Sequence, residues 1–217
     1  MALTEQNIAN RLQSLGYEYF CFISWPHIGD REVTACAKKL KEEIENRLKS
    51  LYFDPKVFID YSDIKGGMEW KKFIRKALLK SIAMVAVCAP IYYSETHKWC
   101  GYEWAFMDLL SKRRFPNESL PLIIPVMVRG EIKELPDVVL KKNPIDVTKI
   151  LSKGRHYYDT NEFRNRLEEI INNIKKISSF IALNQIKPDC GNFKLPKQSA
   201  FAGYHEKNQS LPFRSGQ

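Results

Sequence analysis

The chain has no run approaching the roughly 18 consecutive apolar residues of a membrane span. Its opening stretch, Met1 to Gly16, is amphipathic, carries both charge signs and lacks the apolar core of a signal peptide. These absences lead to the expectation of a cytoplasmic protein with no membrane partner. The five cysteines, Cys21, Cys36, Cys88, Cys100 and Cys190, form no CxxC pair and no Cys/His ligand spacing, so no metal site is expected. An odd count in 217 residues points to a reducing compartment, and Cys21 and Cys88 lie in apolar stretches where a thiol is a small core side chain. The first strand-to-helix loop, Trp25 to Arg31, lacks GxGxxG, which argues against a dinucleotide-dependent dehydrogenase. A phosphoacceptor receiver domain would need clustered acids at the end of the first strand; Glu18 stands too early and Asp30 lies in the loop. There is no internal repeat and no recognised nucleic-acid-binding motif.

What is present fits one domain of ordinary size with an appendage. Apolar residues make up 44% of the chain, enough for a core, and the formal charge of +9 favours anionic partners. That charge is dispersed. Pairs such as Lys38-Lys39 and Lys71-Lys72 have the spacing of solvated helix faces, which favours a nucleotide over a nucleic acid as the anion.

Hydrophobic periodicity predicts alternating elements. Thr4 caps a helix through Leu15 with Ile8, Leu12 and Leu15 on one face, and Gly16 ends it. Strands are expected at Tyr17–Ser24, Lys56–Asp60, Ile82–Ala89, Leu120–Val128 and Pro144–Val147. Helices are expected at Arg31–Leu51, Glu69–Lys80, Trp99–Ser111 and Glu162 to about Phe180, the last capped by Thr160 or Asn161. Residues 131–141 read as irregular or a short helix. Strands alternating with helices in this way predict a doubly wound, five-stranded parallel sheet, an α/β flavodoxin-like class. The expected organisation is an N-terminal helix at 1–16, the domain at 17–182 and a C-terminal extension at 183–217. That extension has no helical or strand period but carries Phe193, Phe201, Tyr204 and Phe213. Two readings stand: a mobile tail, or an arm that docks aromatic anchors on a neighbour.

The stretch Lys98-Trp99-Cys100-Gly101-Tyr102-Glu103-Trp104 sets one carboxylate among large rings and a thiol, just after an apolar strand. An ionised carboxylate is costly to bury, so Glu103 is either a group used in chemistry or an acid favoured by the opening turn of a helix. Trp99 and Cys100 lie four and three residues before Glu103, so a helix puts all three near one face. Trp99 reads equally as a ligand wall and as core; Cys100 reads as packing, with nothing basic beside it except Lys98. Ser24 and Trp25 end the first strand, where open parallel sheets bind ligands; a hydroxyl bond and a ring stack are the functional readings, a local turn the structural one. Lys65-Gly66-Gly67 precedes a helix start and is either a flexible turn or a place where the backbone approaches an anion. Tyr92 and Tyr93, following Pro90, can line the same cleft, whereas His97 reads as an exposed loop residue.

Taken in order, these motifs resemble a TIR (Toll/interleukin-1 receptor) domain over about Tyr17 to Phe180. Phe22-Ile23-Ser24-Trp25 is similar to the family's first box. Val57-Phe58-Ile59-Asp60 leading to Asp63-Ile64-Lys65-Gly66-Gly67-Met68-Glu69-Trp70 is similar to its long loop into the second helix. Trp99-Cys100-x-x-Glu103 is similar to its WCxxE-like signature. The family holds protein-interaction scaffolds and enzymes that cleave NAD+ at the nicotinamide–ribose bond. The resemblance implies that Glu103 is the catalytic glutamate, that Ser24, Trp25, Lys65, Gly66, Tyr93, Trp99 and Cys100 are substrate-binding positions, and that NAD+ is the substrate with no resident cofactor. It also implies self-association through TIR–TIR contacts. With no sensor or effector domain visible after the TIR-like region, the chain is similar to the signal-producing component of Thoeris-like antiphage systems. Its product would be ADP-ribose or a cyclic ADP-ribose isomer read by a downstream effector. The alternative is a non-enzymatic scaffold.

Overall fold

Apolar runs bounded by polar loops form the strands of this molecule, and amphipathic runs form its helices. The structure is a computed structural model that describes residues 4–27, 31–52, 54–59, 70–94, 98–116, 120–152, 154, 156–188 and 196–202. Helix α1, Glu5–Leu15, opens where the Thr4 hydroxyl accepts the Asn7 N–H at 3.3 Å and closes at Gly16, whose φ of +102° is the left-handed stop that glycine adopts without strain. Strand β1, Tyr19–Ser24, leads to helix α2, Arg31–Lys49, and strand β2, Val57–Ile59. Helix α3, Trp70–Leu79, precedes β3, Ser81–Cys88, and a 3-10 turn at Pro90–Tyr93. Helix α4, Lys98–Arg114, leads to β4, Ile123–Met127. A 3-10 turn at Ile132–Glu134, helix α5 at Asp137–Leu140, β5 at Ile145–Asp146, helix α6 at Thr148–Leu151, a 3-10 turn at Tyr157–Asp159 and helix α7 at Asn161–Asn184 complete the series.

The five strands form one parallel sheet in the order β2-β1-β3-β4-β5, the flavodoxin-like arrangement. Helices α1, α2 and α7 pack together on one face, and α3 and α4 pack on the other. Covered on both sides, β3 buries all eight of its residues, which is why its sequence is an unbroken apolar run rather than an alternation. No helix among the described residues is long and apolar enough to cross a membrane.

Most element ends fall within a few residues of the pattern-based expectation, and three differences have a cause in the packing or in element length. Helix α4 continues past Ser111 to Arg114 because that guanidinium is buried, not solvated. It donates to the carbonyls of Leu79 at 2.6 Å and Ser81 at 2.9 Å, and lies over the Tyr17 ring at 5.2 Å. Helix α7 runs past Phe180 because Ile181 and Ala182 still face the core, and it stops at Gln185 with φ +53°. Helix α6 forms where no element was expected; at four residues it is too short to carry a period. Its first residue is held by Asp146, whose carboxylate accepts from the Thr148 N–H and hydroxyl.

The C-terminal residues 196–202 do not lie apart from the domain. They run against α4, where the Ala200 N–H donates to the Gly101 carbonyl at 3.0 Å, and Phe201 is buried. Phe193, Tyr204 and Phe213 lie outside the described residues.

Candidate active site

The chain leaves β1 for β2 on one side and returns to β3 on the other. The crevice at the carboxyl ends of β1 and β3 is therefore a topological switch point, where open α/β sheets bind ligands. Ser24 is the last residue of β1, in register with Ala86 of β3. Tyr92 belongs to the 3-10 turn that follows β3, and Glu103 projects from the second turn of α4. Three elements distant in sequence thus converge on one point.

The Ser24 hydroxyl donates to Glu103 Oε2 at 2.5 Å and lies 2.7 Å from the Tyr92 hydroxyl. Since the serine proton is committed to the carboxylate, the phenol is the donor of the second bond. The result is a directed relay, Tyr92 O–H to Ser24 O–H to Glu103. All three are buried: Ser24 is 1%, Tyr92 0% and Glu103 5% exposed, so each bond is made in a dry, weakly screened setting. Burial pushes the Tyr92 phenol well above its ordinary pKa; Cys100, Cys88 and the Glu103 carboxylate push the same way, and the Ser24 bond opposes them. Tyr92 therefore stays a neutral donor at physiological pH.

The other sequence-predicted positions are distributed as follows. Cys100 is buried one turn before Glu103, in keeping with a packing role. Trp99 is half-buried, beside the Tyr102 ring at 5.7 Å and under the Lys71 ammonium at 5.5 Å. Trp25 is buried and stacks on His27 with centroids 4.5 Å apart. Tyr93 is buried edge-on to Tyr92. Lys65 and Gly66, with the rest of residues 60–69, lie outside the described residues, as does His97. No group of three or more His, Cys, Asp or Glu able to hold a metal occurs among the described residues. Cys36 and Cys88 are pushed up to about 12 by burial and are unreactive thiols rather than nucleophiles.

Two residues take roles beyond the sequence expectation, in which Tyr92 only lined the cleft and Trp104 had no assigned place. Tyr92 is the outer member of the relay. Its signal was its position directly beyond the end of the most apolar strand, where side chains reach the crevice. Trp104 is 1% exposed and forms the floor beneath Tyr92, with ring centroids 6.5 Å apart. A separate cavity of about 560 Å³ opens at the same edge of the sheet, between Arg31, Lys39, Arg129, Tyr157 and Tyr158. Two of its cations are internally paired: Lys39 with Glu43 at 2.8 Å and Arg129 with Glu32 at 2.6 Å.

No curated protein matches the chain. The family described as TIR domain matches residues 22–171, a span from within β1 into α7 that includes every member of the relay. That span is well over half of the chain and contains the whole parallel sheet apart from the first residues of β1, so the chain belongs to the TIR domain family.

Proposed function

We propose that this domain cleaves the nicotinamide–ribose bond of NAD+, with Glu103 as the catalytic carboxylate. The observation that carries the reading is the Tyr92–Ser24–Glu103 relay at the switch point of the sheet. TIR domains serve signalling or NAD-cleaving roles in general, and a buried, oriented carboxylate at the switch point supports the second reading. Nicotinamide departs neutral from a cationic ring, so no acid is needed to protonate it. The ribose left behind is oxocarbenium-like, as in glycoside cleavage. A carboxylate fixed beside it stabilises the developing positive charge without reorganising. Ser24 and Tyr92 keep that carboxylate in one orientation.

Attack by water on the ribose carbon then gives ADP-ribose and releases one proton. Attack by a nucleophilic atom of the same nucleotide gives a cyclic isomer. In this reading Ser24 and Trp99 border the ribose and nicotinamide, while Trp25, Tyr93 and Cys100 support the wall from behind. Lys65 and Gly66 are assigned to the pyrophosphate on the family resemblance alone. Copies associate through TIR–TIR contacts, and the product serves as a signal to an effector in antiphage defence.

The test is incubation of purified protein with NAD+, followed by chromatography and mass spectrometry, with Glu103→Ala beside the wild type. Nicotinamide release should fall by about 100-fold or more in a variant that remains folded, the scale of losing a principal electrostatic group. The co-product distinguishes hydrolase from cyclase. Undiminished release by folded Glu103→Ala would remove the assignment, and absence of release from the wild type at high concentration would favour the scaffold reading.

A further inference from the structure

The C-terminal segment 196–202 reaches the candidate site from behind. Phe201 is 4% exposed and its ring sits among three others: Tyr93 at 5.1 Å, Trp104 at 5.5 Å and Tyr92 at 5.8 Å between centroids. The Tyr92 and Tyr93 contacts are edge-on, the geometry that aromatic quadrupoles favour. Tyr92 is thus held at both ends, its ring by Phe201 and Trp104 and its hydroxyl by Ser24.

The fit to α4 is close. A Cβ added at Gly101 would lie 1.8 Å from Ser199 Oγ, 2.9 Å from Ser199 Cβ and 3.3 Å from the Phe201 ring. Rotating the serine away is not free, because its Oγ accepts the Phe201 N–H at 3.1 Å and shapes the turn. Glycine is a poor residue for a helix interior, costing about 1 kcal/mol relative to alanine. At this position its small size is what lets the segment lie on the helix and bond to the Gly101 carbonyl.

We propose that Phe201 is a positioning residue for the Glu103 site: by closing the ring cage around Tyr92 it fixes the hydroxyl that holds Ser24 on the carboxylate. The inference rests on the NAD+-cleaving reading for its kinetic test and on geometry alone for its structural one. Phe201 touches no reacting atom, so its loss acts on turnover through Tyr92 rather than on substrate capture.

The experiment uses the full chain and NAD+. Phe201→Ala should lower kcat about tenfold or more with KM changed less than about threefold, the signature of a displaced transition-state group. Phe201→Leu, which refills most of the cage, should recover much of the rate. Gly101→Ala leaves Phe201 intact but drives Ser199 off the helix, and should reproduce the kcat defect. Adding Ser199→Gly, which removes both atoms that the new Cβ meets most closely, should restore it. In a Tyr92→Phe background, Phe201→Ala should cost less than about twofold further, because the hydroxyl it positions is already gone.

Hydrogen exchange supplies a readout that needs no turnover. Gly101→Ala should speed exchange of the Ala89–Ser94 backbone while the β4 amides stay protected, and Ser199→Gly should reverse it. An inactive wild type would remove the NAD+-cleaving reading and leave this exchange result to decide the positioning role. Unchanged exchange at Ala89–Ser94, or an unchanged kcat in a Gly101→Ala protein whose segment 196–202 has become unprotected, would overturn the inference. Additive losses from Tyr92→Phe and Phe201→Ala would overturn it too, since they would make Phe201 a packing residue only.

Discussion

At the scale of single residues, two hydroxyls hold one buried carboxylate, and the proposed reaction depends on them. Ser24→Ala removes the donor to Glu103 and strands the Tyr92 hydroxyl at a position with no exposure to solvent. A hydrogen bond to a charged group is worth about 1.5–3 kcal/mol, which corresponds to roughly 10- to 100-fold in rate if it is fully expressed in the transition state. Ser24→Ala should therefore lower kcat for nicotinamide release by that factor while the protein still unfolds cooperatively. Tyr92→Phe deletes only the outer bond, so its loss should be smaller than that of Ser24→Ala. Steady-state kinetics checks both, and a Tyr92→Phe effect larger than the Ser24→Ala effect would contradict the order of the relay. Residue chemistry of this kind was half legible in the sequence. Glu103, Ser24 and Tyr92 were each visible as polar groups beside apolar runs, but nothing in linear order brings residues 24, 92 and 103 within hydrogen-bonding distance of one another.

At the scale of elements, α4 carries the site at one end and is clamped at the other. Arg114 caps two carbonyls at the entry to β3, and its charge also complements the negative end of the helix. Arg114→Ala should destabilise the fold by about 3 kcal/mol, since two charge-assisted bonds are lost from a buried position; a denaturant titration measures it, and a loss under about 1 kcal/mol would mean that water replaces the clamp. Midway along the helix, Asp108 accepts from Lys142 at 2.8 Å and pairs with Lys112 at 2.9 Å, tying α4 to the turn before β5. Burial raises the pKa of this carboxyl, but the bonds and charges of Lys142 and Lys112 outweigh it and hold the value below the ordinary one. A folded-state pKa below the unfolded value contributes stability above the unfolded pKa of about 3.9, and that contribution is lost as pH falls through the lower folded value. Asp108→Asn should therefore lower Tm at neutral pH and converge with the wild type in strong acid. A difference that persists unchanged at the lowest pH would show that packing, not charge, sets the effect. Helix starts and stops such as Thr4 and Gly16 were legible because capping is local; the extra turn at Arg114 was not, because its partners belong to β3.

At the scale of the whole molecule, a formal charge of +9 opposes the approach of two copies, yet TIR domains generally self-associate. If copies complete one another's sites, specific activity should rise with protein concentration, and the rise should begin at lower concentration in about 0.15 M salt than in dilute buffer, where screening is weaker. Measuring turnover and light-scattering mass over the same dilution series checks this. A flat specific activity across a change in mass would separate assembly from catalysis.

The sequence by itself determined the α/β alternation, the parallel sheet and the family, because apolar periodicity, caps and the ordered motifs around Ser24, Asp60 and Glu103 are local records of burial and turn chemistry. It also placed Cys21 and Cys88 in the core, since an uninterrupted apolar run has no solvent face to offer. Only the tertiary structure decided which side chains meet. Strand order put β1 next to β3 and so put Ser24 beside Tyr92 and Glu103. It also turned Phe201 from an aromatic residue in an aperiodic segment into the fourth ring of a buried cage. The physical reason is that periodicity records which face of an element is buried and carries no information about its partner. A contact between residues 92 and 201 is selected by shape and by the room left at Gly101, and these exist only once the sheet and its helices have packed.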